Sequence, residues 1–120
     1  MELRGRFEHG MPFVSLRVAG EEFPALVDTG FDGCVMLAQA DINRLRLREM
    51  GQTTYRTADG QIHEGRVFQG RIEWMGNATD VAIDSTDGDF APIGMGLLRS
   101  LRLVMEPSRE RLTLSTDPLH

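Results

Sequence analysis

Asp28 is an acidic residue whose carboxylate and apolar sequence neighbours suit a chemical role. It lies in ALVDTGFDGCVML, residues 25–37, where an apolar run stops at Asp28 and resumes at Val35. A carboxylate at the end of a buried strand is costly unless it is hydrogen-bonded or paired, and proteins usually retain such a group for use. Asp and Gly are also common in ordinary β-turns, so the triplet Asp28-Thr29-Gly30 is weakly specific by itself.

Other groups that could do chemistry are less convincing. The three histidines are far apart and do not have metal-ligand spacing with Cys34: His9, His63 and His120. Cys34 stands beside apolar residues, which predicts a small buried hydrophobe rather than a nucleophile. The acidic segment DSTDGD, residues 84–89, lacks the spacing of a calcium loop and is predicted to be a solvated loop. The sequence therefore predicts no metal site and no cofactor.

The composition is that of one ordinary folded domain, predicted to span residues 1–120. The chain has 41% hydrophobic and 26% charged residues and a net charge of −5. Its 13 basic residues are all arginines, scattered among acids, which argues against nucleic-acid binding. The single cysteine fits a reducing compartment, and no apolar stretch is long enough for a signal peptide or a membrane span. We therefore expect a cytoplasmic protein with no membrane partner.

Short strands must position Asp28, since period-two alternation is the commonest pattern in the chain. In residues 12–19 the alternation assigns Val14, Leu16 and Val18 to one face and Phe13, Ser15 and Arg17 to the other. Asp59-Gly60 separates two further strand patterns, which predicts a hairpin. Strands are also predicted for these segments: 23–28, 35–37, 53–57, 61–75, 79–84, 102–105 and 111–114.

Helical periodicity is limited to two places. Residues 38–51 have Ala38, Ile42 and Leu45 on one helical face, with Gly51 as the expected end. A second, short helix is predicted around residues 97–101. The sum of many short strands and one or two short helices favours a small all-β barrel or sandwich.

Four segments, in this order, resemble the single-domain retropepsin-like aspartic proteases, and most closely their small bacterial members. The segments are ALVDTGFDG, LAQADINRLRL, TADGQIHEG and APIGMGLL. The similarity spans roughly residues 12–115. It implies the acid protease fold, a small closed β-barrel with one or two short helices, and the activity of an aspartic endopeptidase.

The resemblance assigns roles to individual residues. It implies that Asp28 is the catalytic aspartate, that Thr29 holds the active-site loop by hydrogen bonds across a dimer, and that Gly30 permits a close backbone approach. Gly94 would belong to the framework beneath the site, and residues 59–64 would form a flap over the substrate. The residues expected to bind substrate are Phe31, Val35, Asp59, Gly60, Gln61, Ile62 and Gly94.

A single Asp-Thr-Gly triplet has a consequence for assembly. The chemistry of this family requires two carboxylates that share a proton. Neither Asp32 nor Asp84 lies in a second copy of the motif. The resemblance therefore implies a homodimer, with Asp28 from each subunit and a peptide or protein substrate. The alternative is a catalytically silent dimer of the same fold that binds peptides or proteins.

Overall fold

The computed structural model describes residues 1–116, so the predictions that concern His120 lie outside the described residues. Two helices, α1 (Gln39–Arg44) and α2 (Met95–Leu98), and a 3-10 turn at Pro107–Arg109 interrupt a chain of strands. Within the described residues the strands are β1 (Glu2–Arg4), β2 (Arg6–Glu8), β3 (Met11–Val18), β4 (Glu21–Val27), β5 (Val35–Ala38), β6 (Arg48–Arg56), β7 (Ile62–Trp74), β8 (Asn77–Thr86), β9 (Ala91–Ile93), β10 (Arg102–Glu106) and β11 (Arg111–Ser115).

The main sheet closes on itself. Its strand order is β2-β3-β4-β9-β5-β8-β7-β6, and β3 also pairs with β7. The strands β3, β4, β9, β5, β8 and β7 therefore follow one another in a closed ring. Two of the pairings, β4 with β9 and β5 with β8, are parallel. The remaining strands form a small antiparallel sheet in the order β1-β11-β10. The predicted all-β architecture with one or two short helices is confirmed.

The core lies inside this ring. Every second residue along a strand points inward, and these inward side chains pack together there. Val14, Leu16 and Val18 of β3 are at most 1% exposed, as the alternation predicts. Phe13, which the same alternation assigned to the other face, is also buried, and its ring centroid lies 5.6 Å from that of Phe90. Burial does not change the face of the strand to which Phe13 belongs, because the ring of Phe90, distant in the sequence, packs against it there.

Several predicted boundaries differ from the structure, most clearly those of the two helices and of the loop after residue 84. The helix expected over residues 38–51 ends at Arg44, and β6 begins at Arg48, because Arg46 takes a left-handed backbone (φ 56°) that no helix continues through. The loop expected from residue 84 is strand as far as Thr86, since Ser85 and Thr86 pair with Leu37 and Ala38 of β5. The second helix begins at Met95, two residues earlier than expected.

The N-terminal strands were not predicted. Each has three residues, too short for a pattern of alternation to be visible, and β1 pairs with β11 at the other end of the chain. In the part of the chain that the structure describes, no helix is long and apolar enough to cross a membrane.

Candidate active site

The position of Asp28 is set by the end of β4. Val27 of β4 pairs in parallel with Ile93 of β9, and the backbone amide of Asp28 donates to the Ile93 carbonyl oxygen at 3.0 Å. The next turn folds back on the carboxylate, because the amide of Gly30 donates to Oδ1 of Asp28 at 2.9 Å. One carboxylate oxygen of Asp28 is therefore held by the backbone, while the side chain remains half-exposed.

Three backbone hydrogen bonds join the loop of residues 28–34 to the segment of residues 94–96. The amide of Met95 donates to the Phe31 carbonyl at 2.7 Å, and the amide of Gly94 donates to the Cys34 carbonyl at 3.1 Å. The amide of Gly96 donates to the Gly33 carbonyl at 2.9 Å. These bonds fix the loop that carries Asp28 against the start of α2, so the two motif segments form one rigid unit.

Gly94 lies in this unit because a side chain would not fit. A Cβ atom built on Gly94 would overlap the Phe31 carbonyl oxygen and would lie 2.5 Å from Cδ2 of the Phe31 ring and 2.6 Å from the Gly33 carbonyl oxygen. The backbone of Gly94 is extended (φ −122°), so the reason for glycine is the close approach rather than an unusual conformation.

A cleft of about 480 Å³ opens beside Asp28. Such a volume is within the range of sites that hold a small ligand or a few residues of a peptide. Residues of the Asp28 loop form one side, and residues at the end of β6 form another. The lining residues are Asp28, Gly30, Phe31, Asp32, Met36, Arg56, Thr57, Ala58 and Thr86.

The hairpin of β6 and β7 ends in a tight turn at this cleft. The amide of Thr57 donates to the Gln61 carbonyl at 3.0 Å, and the amide of Gly60 donates to the Thr57 carbonyl at 2.9 Å. Gly60 has φ +85°, a conformation that glycine adopts without strain. The predicted hairpin around Asp59-Gly60 is present, with its turn at residues 57–61.

The carboxylate of Asp59 accepts hydrogen bonds from two other residues of this turn. Its Oδ1 accepts the hydroxyl of Thr57 and the amide of Gln61, the latter at 3.0 Å. The Thr57 hydroxyl also lies 3.4 Å from Nε2 of His63. The hydrogen bond from Thr57, the one from Gln61 and the nearby His63 together lower the pKa of Asp59.

A second carboxylate lies close to the loop of residues 28–34. Asp84 of β8 is half-buried, and its Oδ2 would be 3.2 Å from a Cβ atom on Gly33. Burial, and secondly the charge of Asp32, raise the pKa of Asp84. Burial also raises the pKa of the Cys34 thiol, and Asp84 adds to that rise while Arg99 opposes it. The negative charge of Asp84 is therefore unfavourable in its half-buried position near this loop.

The structure places the residues predicted from the sequence in three locations. Asp28, Gly30 and Phe31 line the cleft, with exposed Thr29 between them in the chain. Val35 is fully buried and Gly94 lies against the Phe31 ring, so both are beneath the loop and outside the cleft lining. The remaining four residues lie at the hairpin tip and are not among those that line the cleft: Asp59, Gly60, Gln61 and Ile62.

Sequence reasoning did not select several of the residues that line the cleft. Met36 could have been found, since it alternates with the buried Val35 and must face the other way. Thr57 and Ala58 could have been found as residues flanking the Asp59-Gly60 turn. Thr86 could not, because it reaches the cleft through the pairing of β8 with β5, where it is opposite Ala38.

No group of three or more His, Cys, Asp or Glu residues that could hold a metal ion occurs within residues 1–116. The side chains that face the cleft supply two carboxylates, one guanidinium, two hydroxyls and apolar surface. Such a set can bind a peptide and transfer protons.

The model of the aspartyl protease family matches residues 14–102 of this chain, which include the Asp28 loop, the hairpin and the 94–96 segment. A search of curated proteins gives no match.

Solved structures of retropepsin-like proteases have the same fold. A retropepsin-like aspartic protease from Rickettsia conorii is 20% identical with a TM-score of 0.67, over 95% of this chain and 88% of that one. The protease of EIAV, solved with the inhibitor HBY-793, is 22% identical with a TM-score of 0.63, over 74% of this chain and 86% of that one. The simian foamy virus protease is 13% identical with a TM-score of 0.56, over 72% of this chain and 91% of that one.

Proposed function

The chain belongs to the aspartyl protease family, and we propose that it is a homodimeric aspartic endopeptidase in which Asp28 of two subunits forms one catalytic site. The observation that carries the proposal is the placement of Asp28. It stands at the edge of a cleft, opposite a hairpin, in a loop that the 94–96 segment holds by three backbone hydrogen bonds. Only one Asp-Thr-Gly triplet occurs in the sequence, so a second copy of the chain supplies the second carboxylate.

Two carboxylates a few ångströms apart cannot both ionise easily, so the pair holds one proton at working pH. The ionised Asp28 takes a proton from a water molecule, and the oxygen of that water attacks the carbonyl carbon of the scissile peptide bond. The protonated Asp28 of the other subunit donates its proton toward the carbonyl oxygen. Collapse of the tetrahedral intermediate breaks the C–N bond: the nitrogen takes up a proton from the pair, one hydroxyl of the intermediate returns its proton to the pair, and the amine and the carboxyl product leave. The apparent pKa values of this cycle belong to the pair and not to either residue.

The remaining residues would bind and orient the substrate. An extended peptide entering the cleft would meet the apolar side chains of Phe31 and Met36 on one side and the hairpin tip on the other. Thr29 is exposed, and within the described chain its hydroxyl has no hydrogen bond. An exposed, unpaired hydroxyl next to Asp28 fits the predicted contact between the two Asp-Thr-Gly loops.

Peptide cleavage by matched variants tests the proposal. Purified protein at tens of micromolar is incubated with a diverse peptide mixture from acid to neutral pH, beside Asp28→Asn and the control Asp87→Asn. Asp28→Asn nearly preserves shape and removes the ionisable group, whereas Asp87 is an exposed acid in the loop between β8 and β9. We expect the wild type and Asp87→Asn to produce the same fragments and Asp28→Asn to produce none.

Cleavage that survives Asp28→Asn would contradict the mechanism. Absence of cleavage by all three proteins, from samples shown to be dimeric, would contradict the activity. In that case peptide binding by the intact dimer would support the alternative, a binding module of the same fold.

A further inference from the structure

The turn at the tip of the β6–β7 hairpin is held by a side chain as well as by backbone hydrogen bonds. Besides the backbone bonds of Thr57 and Gly60, one side chain closes the turn, since Oδ1 of Asp59 accepts both the Thr57 hydroxyl and the Gln61 amide. A carboxylate that accepts two hydrogen bonds is a strong acceptor, because charge-assisted bonds are stronger than neutral ones.

This turn determines how the hairpin meets the cleft. Thr57 and Ala58 line the cleft together with Asp28, whereas Asp59 does not line it. Any change in the turn at residues 57–61 therefore moves the two residues that face the cleft. A hairpin tip is otherwise a part of the fold with few tertiary contacts, so its order depends on its own hydrogen bonds.

We propose that Asp59 and Thr57 are positioning residues that lock the hairpin tip in the conformation that covers the substrate, an inference that rests on the proposed function. Asp59 acts through Thr57 and Gln61 and does not itself contact the substrate. This assigns Asp59 a role different from the substrate contact expected from the sequence.

The surroundings of Asp59 support this role. The residue is exposed to solvent, so burial does not hold its carboxylate in place, and hydrogen bonds within the turn must do so. His63 of β7 lies next to the same hydroxyl, with Nε2 3.4 Å from Thr57 Oγ1, and adds a titratable group to the network. Only one glycine, Gly60, lies within residues 57–61. The turn is therefore ordered by side-chain bonds rather than loosened by glycines.

Three variants test whether Asp59 and Thr57 act by ordering the turn or by contacting the substrate. Asp59→Ala removes the acceptor, Thr57→Val removes the hydroxyl with little change in shape, and Asp59→Asn keeps an oxygen that can accept both bonds. The matched control is Thr54→Val, which makes the same chemical change in β6 at an exposed position outside the cleft lining. Two readouts are taken: KM and kcat for a cleaved peptide, and hydrogen exchange of the Gln61 amide in the protein without substrate.

We expect Asp59→Ala and Thr57→Val to raise KM about threefold to tenfold with kcat within about twofold, because hydrogen bonds that order the binding surface are lost. The Gln61 amide should exchange faster in Asp59→Ala by a similar factor. Asp59→Asn, which keeps the accepting oxygen but not its charge, should recover part of both losses, and Thr54→Val should change neither value.

Two results would overturn the inference: unchanged Gln61 exchange in Asp59→Ala, or a fall in kcat with constant KM that Asp59→Asn does not rescue. The exchange measurement needs no activity, so the two proposals fail separately. If no peptide is cleaved but Gln61 exchange responds as expected, the proposed function fails while the lock in the hairpin remains. If peptides are cleaved and exchange does not respond, the lock is wrong and the protease assignment stands.

Discussion

The ring of Phe31 lies directly against Gly94, so the residue that follows Asp-Thr-Gly packs on the glycine of the second motif segment. A methyl group on Gly94 would overlap both the ring and the carbonyl oxygen of Phe31. This contact explains how a bulky Phe31 is accommodated beside Asp28: the space that it occupies is provided by the absence of a side chain 63 residues later in the chain.

Gly94→Ala should therefore destabilise the protein. Since backbone atoms on both sides cannot move easily, we expect the free energy of unfolding to fall by about 1–3 kcal/mol. The matched control is Gly88→Ala, because a Cβ atom there would make only ordinary contact, 3.4 Å from the Thr86 hydroxyl. Thermal or urea unfolding measures both variants. Equal stability of the two variants would show that the packing of Phe31 on Gly94 is not tight.

The proposed site, shared by two subunits, predicts that an inactive subunit inhibits an active one. When the Asp28→Asn protein is mixed with an equal amount of wild type and the subunits exchange, random pairing leaves about half of the wild-type activity. Each chain of a monomeric enzyme would keep its full activity in the same mixture. The measurement is the initial rate of peptide cleavage, with Asp87→Asn as the control partner, which should leave the rate undiminished.

Asp84 should make the folded protein less stable as pH rises. Its pKa is raised in the folded state by burial and by Asp32, so its contribution to stability is present below its unfolded pKa and is lost as pH rises through the folded value. Asp84→Asn should therefore raise the stability at neutral pH, by about 0.5–1 kcal/mol after allowance for solvent screening. The gain should disappear toward pH 3. Unfolding curves across this range measure it, and a gain that is independent of pH would contradict the electrostatic cause.

Asp59 should have the opposite dependence on pH. Its pKa is lowered by Thr57, Gln61 and His63, so the order that it gives to the hairpin tip is present above its unfolded pKa and is lost as pH falls through the folded value. The other charged groups at this end of the cleft are Asp28 and Asp32 on the loop and Arg56 on β6. The NMR shift of the Gln61 amide should move in acid below the usual range for Asp. Asp59→Asn should remove that titration, and a titration that persists in this variant would assign it to one of the other groups.

The sequence alone determined the class of fold and selected Asp28 as the central residue of the proposed site. Period-two alternation in β3 and the Asp59-Gly60 turn arise from local rules, because side chains alternate along any strand and a tight turn requires particular residues. The apolar residues around Asp28 marked it as unusual for the same kind of reason, since the cost of a carboxylate at the end of a buried strand depends on its neighbours in the chain.

Only the tertiary structure decided which residues meet at the cleft. Thr86 reaches it through the pairing of β8 with β5, and Val35 leaves it because the same pairing buries that side chain in the core. Strand order and register depend on contacts between segments that are far apart in the sequence, and no local pattern encodes them. The packing of Phe31 on Gly94 and the partial burial of Asp84 near the loop have the same origin, because both depend on contacts between segments that are distant in the sequence.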